Sequence, residues 1–494
     1  CIRDSFYSMI NLQTKPAKFS EHEIRVCDGP VCWLAGSLEL QKNIEGLLAE
    51  NTDWRATRTS CLGLCDRAPA ALVDNNQVGP IGADSYQRLL NGWTGARHSY
   101  SSPLSGEVRV MLDKAGKIDP GSIESALKHD AYCGLSKTLT REPESVIQEV
   151  LQSGLTGRGG AGFLVGKKWG FVAENKKQPK YVICNADESE PLIFKDRILI
   201  ETNPHQVLEG MAIAGYATGA QHGIIYIRGE YERQARLLES AISQARLAGW
   251  LGTNIQERNF NFDIHVHKGA GAYICGEETA LIESLEGFRG EPRLRPPYPP
   301  TYGYKGLPTL VNNVETFAAV PAIMCNGATW YQSLIDWRTA GTKIYMVLGH
   351  VNRPCLFEAP FGITLRQVIN DFGGGMKDGS SFYFALTGGA AGTIVSDRYL
   401  DVRIDFASTA DGVSIGAGAF LICDRTVSPI DLLKVVLHFF RVESCGKCTP
   451  CRNGTRRALE ILNRLSKKKG APNDLDELSR LALVMRTTSI CGLG

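Results

Sequence analysis

Cys445-Gly-Lys-Cys448-Thr-Pro-Cys451 sets three thiols at two-residue intervals, and Cys491 follows forty residues on. Thiolates are soft ligands, and three close cysteines with one remote partner can occupy the corners of a compact iron–sulfur cube. A structural zinc site also takes four cysteines, and a Cys-x-x-Cys step can act as a redox dithiol. Two successive Cys-x-x-Cys steps point to the [4Fe-4S] cube over these. A second group, Cys27-Asp-Gly-Pro-Val-Cys32 with Cys61-Leu-Gly-Leu-Cys65, comes as two pairs. Two pairs suit a [2Fe-2S] rhomb, one pair to each iron. The gaps of four and three residues are less usual for zinc, and neither pair has the Cys-x-x-Cys step of a thioredoxin dithiol.

Between these groups lie segments suited to an anionic, hydroxyl-rich ligand. Gly157-Arg158-Gly159-Gly160-Ala161-Gly162 matches Gly-x-Gly-x-x-Gly, but the residues before it, Glu144 to Ser153, have helical rather than strand periodicity. The ordinary dinucleotide-fold context is therefore missing. A glycine loop can still offer backbone N–H groups to phosphate, and Arg158, Lys167 and Lys168 add charge beside it. Asn185-Ala-Asp187-Glu188-Ser-Glu190 follows a strand pattern, and Gly276-Glu277-Glu278-Thr279 sits in a glycine-rich turn. Carboxylates at strand ends can accept hydrogen bonds from ribose or ribityl hydroxyls; a magnesium site or solvated loops are the alternatives, and no Walker-type loop is present. Asn312-Asn313-Val-Glu315-Thr316 supplies amides and a hydroxyl suited to a flavin edge or its phosphate, or else a turn and a helix cap.

The elements that must position these residues can be outlined from periodicity. Residues 1–95 form a small α/β unit, with strand patterns at Glu23–Val26 and Ala70–Val73 around a helical Ala35–Glu50; a polar stretch, Ala96–Ser105, reads as a linker. Residues 106–340 form a glycine-rich α/β nucleotide-binding block with strands at Tyr181–Cys184, Gly223–Ile227 and Phe262–Val266. Residues 341–425 form a small α+β insert with a strand at Lys343–Leu348 and a helix around Thr364–Phe372. Residues 426–494 are helical, from Pro429 to Phe440 and from Asp474 to Met485. With 494 residues the chain exceeds one ordinary core. Its 54 basic against 52 acidic side chains argue against a broad nucleic-acid face. No apolar run reaches membrane-spanning length, so direct membrane insertion is not expected. Grouped cysteines without a signal peptide favour metal over disulfides and a cytoplasmic setting. Of the remaining seven, Cys133, Cys184, Cys275, Cys325, Cys355 and Cys423 read as isolated buried hydrophobes, and Cys1 is terminal.

Taken together, Gly157–Phe163, Cys184–Arg197, Gly269–Glu278, Asn312–Thr316 and the Cys445 run resemble, in family order, the NADH-binding flavoprotein subunit of respiratory complex I and its relatives in NAD-linked hydrogenases and formate dehydrogenases. The segment 1–95 is similar to the thioredoxin-like [2Fe-2S] subunit, here fused ahead. The resemblance implies a Rossmann-like FMN and NAD(H) domain, a β-grasp-like (ubiquitin-like) domain and a C-terminal helical bundle carrying the cube. It places Gly157, Gly159, Lys168, Asn185, Asp187, Gly276, Glu277, Asn312, Asn313 and Thr316 against FMN. Phe163, Phe171, Glu188, Glu190, Tyr273 and Glu278 then face NADH. Departures occur at Leu164-Val165, Ser189, Leu192-Ile193, Arg295 and Tyr298, the last two bearing on NADH versus NADPH preference. A hydride carries two electrons and each cluster takes one, so a flavin must divide them, with no acid–base residue required. Fusion of the two modules resembles the diaphorase subunit of soluble NAD-reducing hydrogenases, which implies an iron–sulfur partner subunit and a hydrogenase catalytic module. A complex I or formate dehydrogenase subunit is the alternative.

Overall fold

In His-Glu-Ile-Arg-Val-Cys the apolar Ile24 and Val26 alternate with polar residues, and this stretch is strand β1 (His22–Cys27), with those two side chains buried. The computed structural model describes residues 21–51 and 53–494, so Cys1 and the first twenty residues of the 1–95 unit lie outside the described residues. After β1 come helices α1 (Pro30–Leu34) and α2 (Ser37–Leu47), then β2 (Trp54–Thr59), β3 (Ala71–Val73) and β4 (Asn76–Val78). The sheet order is β2-β1-β3-β4, with β1 and β2 parallel. The single helix expected over Ala35–Glu50 starts later and is separate from α1, because Gly36 between them has φ +88°, a left-handed conformation that a continuous helix cannot contain.

The central block carries helices α3 (Pro143–Gln152) and α4 (Val165–Glu174), then β5 (Tyr181–Ala186), α5 (Lys195–Thr202), α6 (Pro204–Thr218), β6 (His222–Ile227), α7 (Glu232–Leu247), β7 (Asp263–Lys268), α8 (Glu278–Leu285), β8 (Thr309–Asn313) and α9 (Val314–Asn326). Val182, Ile183 and Cys184 form a continuous buried run, as expected for a parallel strand covered on both faces. The sheet order is β7-β6-β5-β8, every pair parallel. The chain steps outward from β5 to β7 and then returns to the other side of β5. A crevice therefore opens beyond the carboxyl ends of β5 and β8, where such sheets bind ligands. Asn185, Asp187 and Asn313 stand at those ends.

A mixed five-stranded sheet follows: β9 (Thr342–Gly349), β10 (Cys355–Pro360), β11 (Phe382–Thr387), β12 (Thr393–Val395) and β13 (Ala419–Asp424), ordered β10-β9-β13-β11-β12. The helix expected around Thr364–Phe372 is a capped turn, Leu365–Gln367, that widens into a π-helical turn over Val368–Phe372. The chain ends in α10 (Pro429–Glu443), α11 (Thr449–Ser466) and α12 (Asp474–Thr488). Helix α11 is an addition to the sequence reading, which leaves Cys451 in a turn. Pro450 opens the helix at a position where its missing N–H costs nothing, and Gly454 lets Met485 of α12 pack against the backbone. No helix among the described residues is long and apolar enough to cross a membrane.

Candidate active site and cluster sites

The crevice is a cavity of about 530 Å³. From the first strand end it takes Asn185, Asp187, Glu188 and Glu190; from the glycine loop, Gly159 and Gly160; and from the other strand end, Asn313. Tyr273, Gly276 and Glu277 close a further side, and Cys491 with Leu493 reaches it from the C-terminus. The glycine loop folds back on itself through a Gly157 N–H bond to the Phe163 carbonyl (2.8 Å) and is tied to α9 by Arg158 N–H donating to Thr316 Oγ1 (2.9 Å). Gly160 has φ +123°, and a Cβ on Gly159 would meet Asn313 Cβ at 3.3 Å, so the narrow floor requires glycine.

Asp187 is the chemically exposed group in this wall. It is fully buried, neither carboxylate oxygen has a hydrogen-bond partner, and burial pushes its pKa up to about 7 against the opposing pull of Arg228. Asn185 donates from Nδ2 to the Gly276 carbonyl (2.7 Å) and holds the two strand-end segments together. Glu277 lies at the cap of α8 rather than inside a free turn: its Oε2 accepts the Thr279 and Ala280 N–H groups. Its Oε1 is buried and accepts no hydrogen bond. An orphaned carboxylate, a second half-used one and a glycine floor fit a ligand that brings several hydroxyl donors and an anionic end.

Other expected residues are placed differently. The Glu188 carboxylate turns away from the cavity and caps α5, accepting the Asp196 and Arg197 N–H groups (2.6 and 2.9 Å) and the Tyr231 hydroxyl (2.9 Å). The Arg158 guanidinium points into the protein, to the Thr342 carbonyl (3.1 Å) and Tyr331 hydroxyl (2.8 Å), so it adds no charge to the loop. Lys168 is paired with Glu278 at 2.7 Å, joining a residue expected at the flavin to one expected at the nucleotide. Asn312 is buried and accepts the Trp169 indole N–H (3.1 Å), and Phe163 and Phe171 are 48% and 46% exposed beside the cavity rather than in its wall. Sequence reasoning passed over Lys195, which lines the cavity while bonded to Asp196 (2.7 Å), Asn313 (3.0 Å) and Glu315 (2.9 Å), and over two glycine-rich segments, Gly388–Gly392 and Ser414–Ala417. The double glycine at 388–389 was the available signal.

Both cysteine groups gather in space. Cys61 and Cys65 sulfurs are 3.8 Å apart, and Cys27 is a hydrogen-bonding neighbour of Cys32 and Cys61. Those thiol contacts and then burial raise Cys27, whereas hydrogen bonds from Cys27 and Cys65, with the Arg228 guanidinium, hold Cys61 well below the ordinary thiol range. Cys445, Cys448, Cys451 and Cys491 interact with one another where the start of α11 meets the chain end. Burial pushes Cys451 up to about 11, partly offset by the Ser444 hydroxyl 3.3 Å away. Among the described residues no three Cys, His, Asp or Glu side chains close to the spacing of a single ion. Four thiols from two segments, with no harder ligand among them, suit an iron–sulfur cluster in each case. Cys133 and Cys325, isolated in sequence, are hydrogen-bonding neighbours in the fold.

The N-terminal module is docked against the same wall. Arg197 donates to the Gly63 carbonyl (3.1 Å) and pairs with Asp66, Arg228 donates to the Cys61 carbonyl (2.7 Å) and the Glu188 carbonyl (2.9 Å), and Ser60 bonds Glu443 (2.7 Å). Glu443 also accepts the Tyr273 N–H (3.0 Å). One cavity thus lies between two thiol quartets, with segment 187–190 on the side of the first and Cys491 on the side of the second.

A hydroxyl-binding crevice at a parallel-sheet switch point, flanked by two cysteine quartets, defines a flavin iron–sulfur oxidoreductase. The Nuo51 FMN-binding domain matches residues 150–322, the NADH-ubiquinone oxidoreductase-F iron-sulfur binding region 431–494, the thioredoxin-like [2Fe-2S] ferredoxin 4–94 and the SLBB domain 344–390. NADP-reducing hydrogenase subunit HndC of Solidesulfovibrio fructosivorans is 47% identical over 78% of this chain and 79% of its own length. A relative in Rhizobium meliloti, the NADH-quinone oxidoreductase component F 2, is 43% identical over 74% of this chain and 87% of its own. A crystal structure of an NAD⁺-reducing [NiFe]-hydrogenase in the air-oxidised state has a chain that superposes with TM-score 0.82 at 32% identity, covering 97% of this chain and 82% of that one. The chain belongs to the family of flavin and iron–sulfur oxidoreductase subunits that these relatives represent, with an FMN-binding domain, a [4Fe-4S] region and a thioredoxin-like [2Fe-2S] domain.

Proposed function

We propose that this chain is the diaphorase subunit of an NAD-reducing hydrogenase, exchanging hydride with NAD(H) and electrons with a partner iron–sulfur subunit and its hydrogenase module in the cytoplasm. The observation that carries it is the cavity wall shared by the unpartnered Asp187 carboxylate and Cys491. Bound there, FMN takes or gives a hydride and passes electrons on singly, which a nicotinamide cannot do. Asp187, Asn185, Glu277 and Asn313 would accept or donate to its hydroxyls, with Gly157, Gly159 and Gly276 allowing close approach. Lys168, Asn312 and Thr316 support that side: Lys168 through Glu278, and the other two by fixing α4 and the loop. Glu190, Tyr273 and Glu278 meet the nucleotide, with Phe163 and Phe171 at the mouth, while Glu188 orients the wall as a cap rather than binding ribose. The chain then divides into a thioredoxin-like unit at 1–95, the FMN and NAD(H) domain at 106–340, a β-grasp-like domain at 341–425 and a helical bundle at 426–494. Cys27, Cys32, Cys61 and Cys65 hold the [2Fe-2S] cluster and Cys445, Cys448, Cys451 and Cys491 the [4Fe-4S] cluster. Co-purification of a nickel-containing partner with the tagged chain tests the complex; a partner set without nickel that reduces quinone with NADH would favour the complex I alternative.

Glu190→Gln or Glu278→Gln is expected to raise the nucleotide KM about tenfold, the cost of one charged hydrogen bond, while FMN stays bound. Loss of FMN on purification, with an unchanged KM in the remaining holoenzyme, would refute the assignment. Asp187 gives a pH signature. Its raised pKa of about 7 means that below neutrality the empty site holds a protonated acid, which must ionise to accept ligand hydroxyls fully. FMN affinity of the apoprotein should therefore climb from pH 6 to pH 8 more steeply than the phosphate ionisation of FMN alone requires. Asp187→Asn should lose that extra slope and bind more weakly at pH 8. Parallel profiles for the two proteins in a flavin-fluorescence titration would show that Asp187 does not titrate on binding.

A further inference from the structure

The Gly388–Gly392 segment joins β11 to β12 on the five-stranded sheet, outside the FMN-binding match, yet it lines the cavity. Its Ala391 N–H donates to Glu190 Oε1 at 2.7 Å, across two hundred residues of sequence. Gly389, with φ +110°, is packed so closely that a Cβ there would lie 2.9 Å from Glu190 Oε1, 3.0 Å from Cγ and 3.3 Å from Cδ. On its other side Glu190 is hydrogen-bonded to the Tyr273 hydroxyl. The carboxylate is therefore gripped from two elements, by a backbone donor whose position depends on a residue without a side chain. A carboxylate left to rotate loses part of its binding energy to ordering, and one held in a buried wall does not.

We propose that the Gly388–Gly392 hairpin is a positioning element for nicotinamide-nucleotide binding, acting through Glu190 and leaving FMN binding untouched. It makes the second sheet part of the nucleotide site, with Gly389 setting how far the Glu190 carboxylate reaches into the cavity. This rests on Glu190 facing the nucleotide, as proposed above. Because the hairpin grips Glu190 by a backbone N–H, side-chain changes at Ala391 are tolerated, while any Cβ at position 389 displaces the carboxylate.

The test is a double-mutant cycle on the purified, FMN-loaded chain, reading the NAD⁺ dissociation constant by calorimetry beside flavin content from absorbance. Gly389→Ala should weaken NAD⁺ binding about tenfold in the wild-type background, as expected for one charged hydrogen bond, at unchanged flavin stoichiometry. In a Glu190→Ala background, where the clash partner is gone, the same substitution should have little further effect, the non-additivity that contact through Glu190 requires. Ala391→Pro, which removes only the donor, gives a second route should the strained alanine at 389 impair folding, and it should behave likewise. Equal losses in both backgrounds, or flavin loss from either hairpin variant, overturn the hairpin's role while leaving Glu190 in place. A Glu190→Ala chain that binds NAD⁺ like wild type overturns the Glu190 reading, and the hairpin proposal with it.

Discussion

Cys448→Ser should abolish electron delivery to the partner while NADH oxidation with a small artificial acceptor that reaches the flavin survives. Cys448 precedes α11, where it stands with Cys445, Cys451 and Cys491, and Cys491 is also part of the cavity wall. A serine oxygen is a harder and weaker ligand for iron than a thiolate, so the cube should be lost or damaged. The glycine floor, Asp187 and Glu190 belong to other elements, so flavin content and nucleotide affinity should stay near wild type. Partner-dependent turnover should fall by two orders of magnitude or more. Cys61→Ser should cost much less, since its quartet lies on the opposite side of the cavity, behind segment 187–190. Stopped-flow bleaching of the flavin and partner-dependent turnover, run on both variants, separate the cases. Full partner-dependent turnover in a Cys448→Ser protein shown by EPR to lack the cube would sink the proposed outlet.

Arg197→Met should release the N-terminal module. Arg197 is completely buried, pairs with Asp66, and donates to the Gly63 carbonyl beside Cys61 and Cys65. Burial works against ionisation of Asp66, but the neighbouring Arg197 guanidinium prevails and holds its carboxyl below the usual aspartate range. Removing the cation strands a buried carboxylate, which typically costs about 3–5 kcal/mol. The lower folded-state value also fixes the pH behaviour. The stabilisation is complete above the ordinary aspartate pKa of about 3.9 and disappears as pH falls through the depressed one, so wild type and variant should converge in acid. Limited proteolysis in the polar 96–105 connection and thermal unfolding report the loss. Unchanged cleavage and melting at pH 7 would mean that docking does not depend on this pair.

The cluster cysteines were legible because ligand spacing is a local property: Cys445, Cys448 and Cys451 state their geometry in seven residues. The parallel strands were legible for a similar reason, since burial on both faces demands unbroken apolar runs such as Val182–Cys184. Helix α11 was not, because Asn453, Gly454 and Thr455 have weak helix propensity, and it is packing on α10 and α12 that keeps them helical.

The sequence by itself determined the chemistry available: two thiol quartets, a glycine loop without its strand, and carboxylates at two strand ends. Only the tertiary structure decided which of those groups are free to use it. Glu188 and Glu190 are two residues apart and look alike in sequence. One has its oxygens taken by the amides of Asp196 and Arg197, and the other is gripped at the cavity by Ala391, two hundred residues away. Arg158 stands in the glycine loop, yet its guanidinium bonds Thr342 and Tyr331, while Asp187, beside the same cavity, has no partner at all. A buried polar group must be satisfied by whatever the fold brings within about 3 Å, and that neighbour is chosen by long-range packing, which local spacing does not encode.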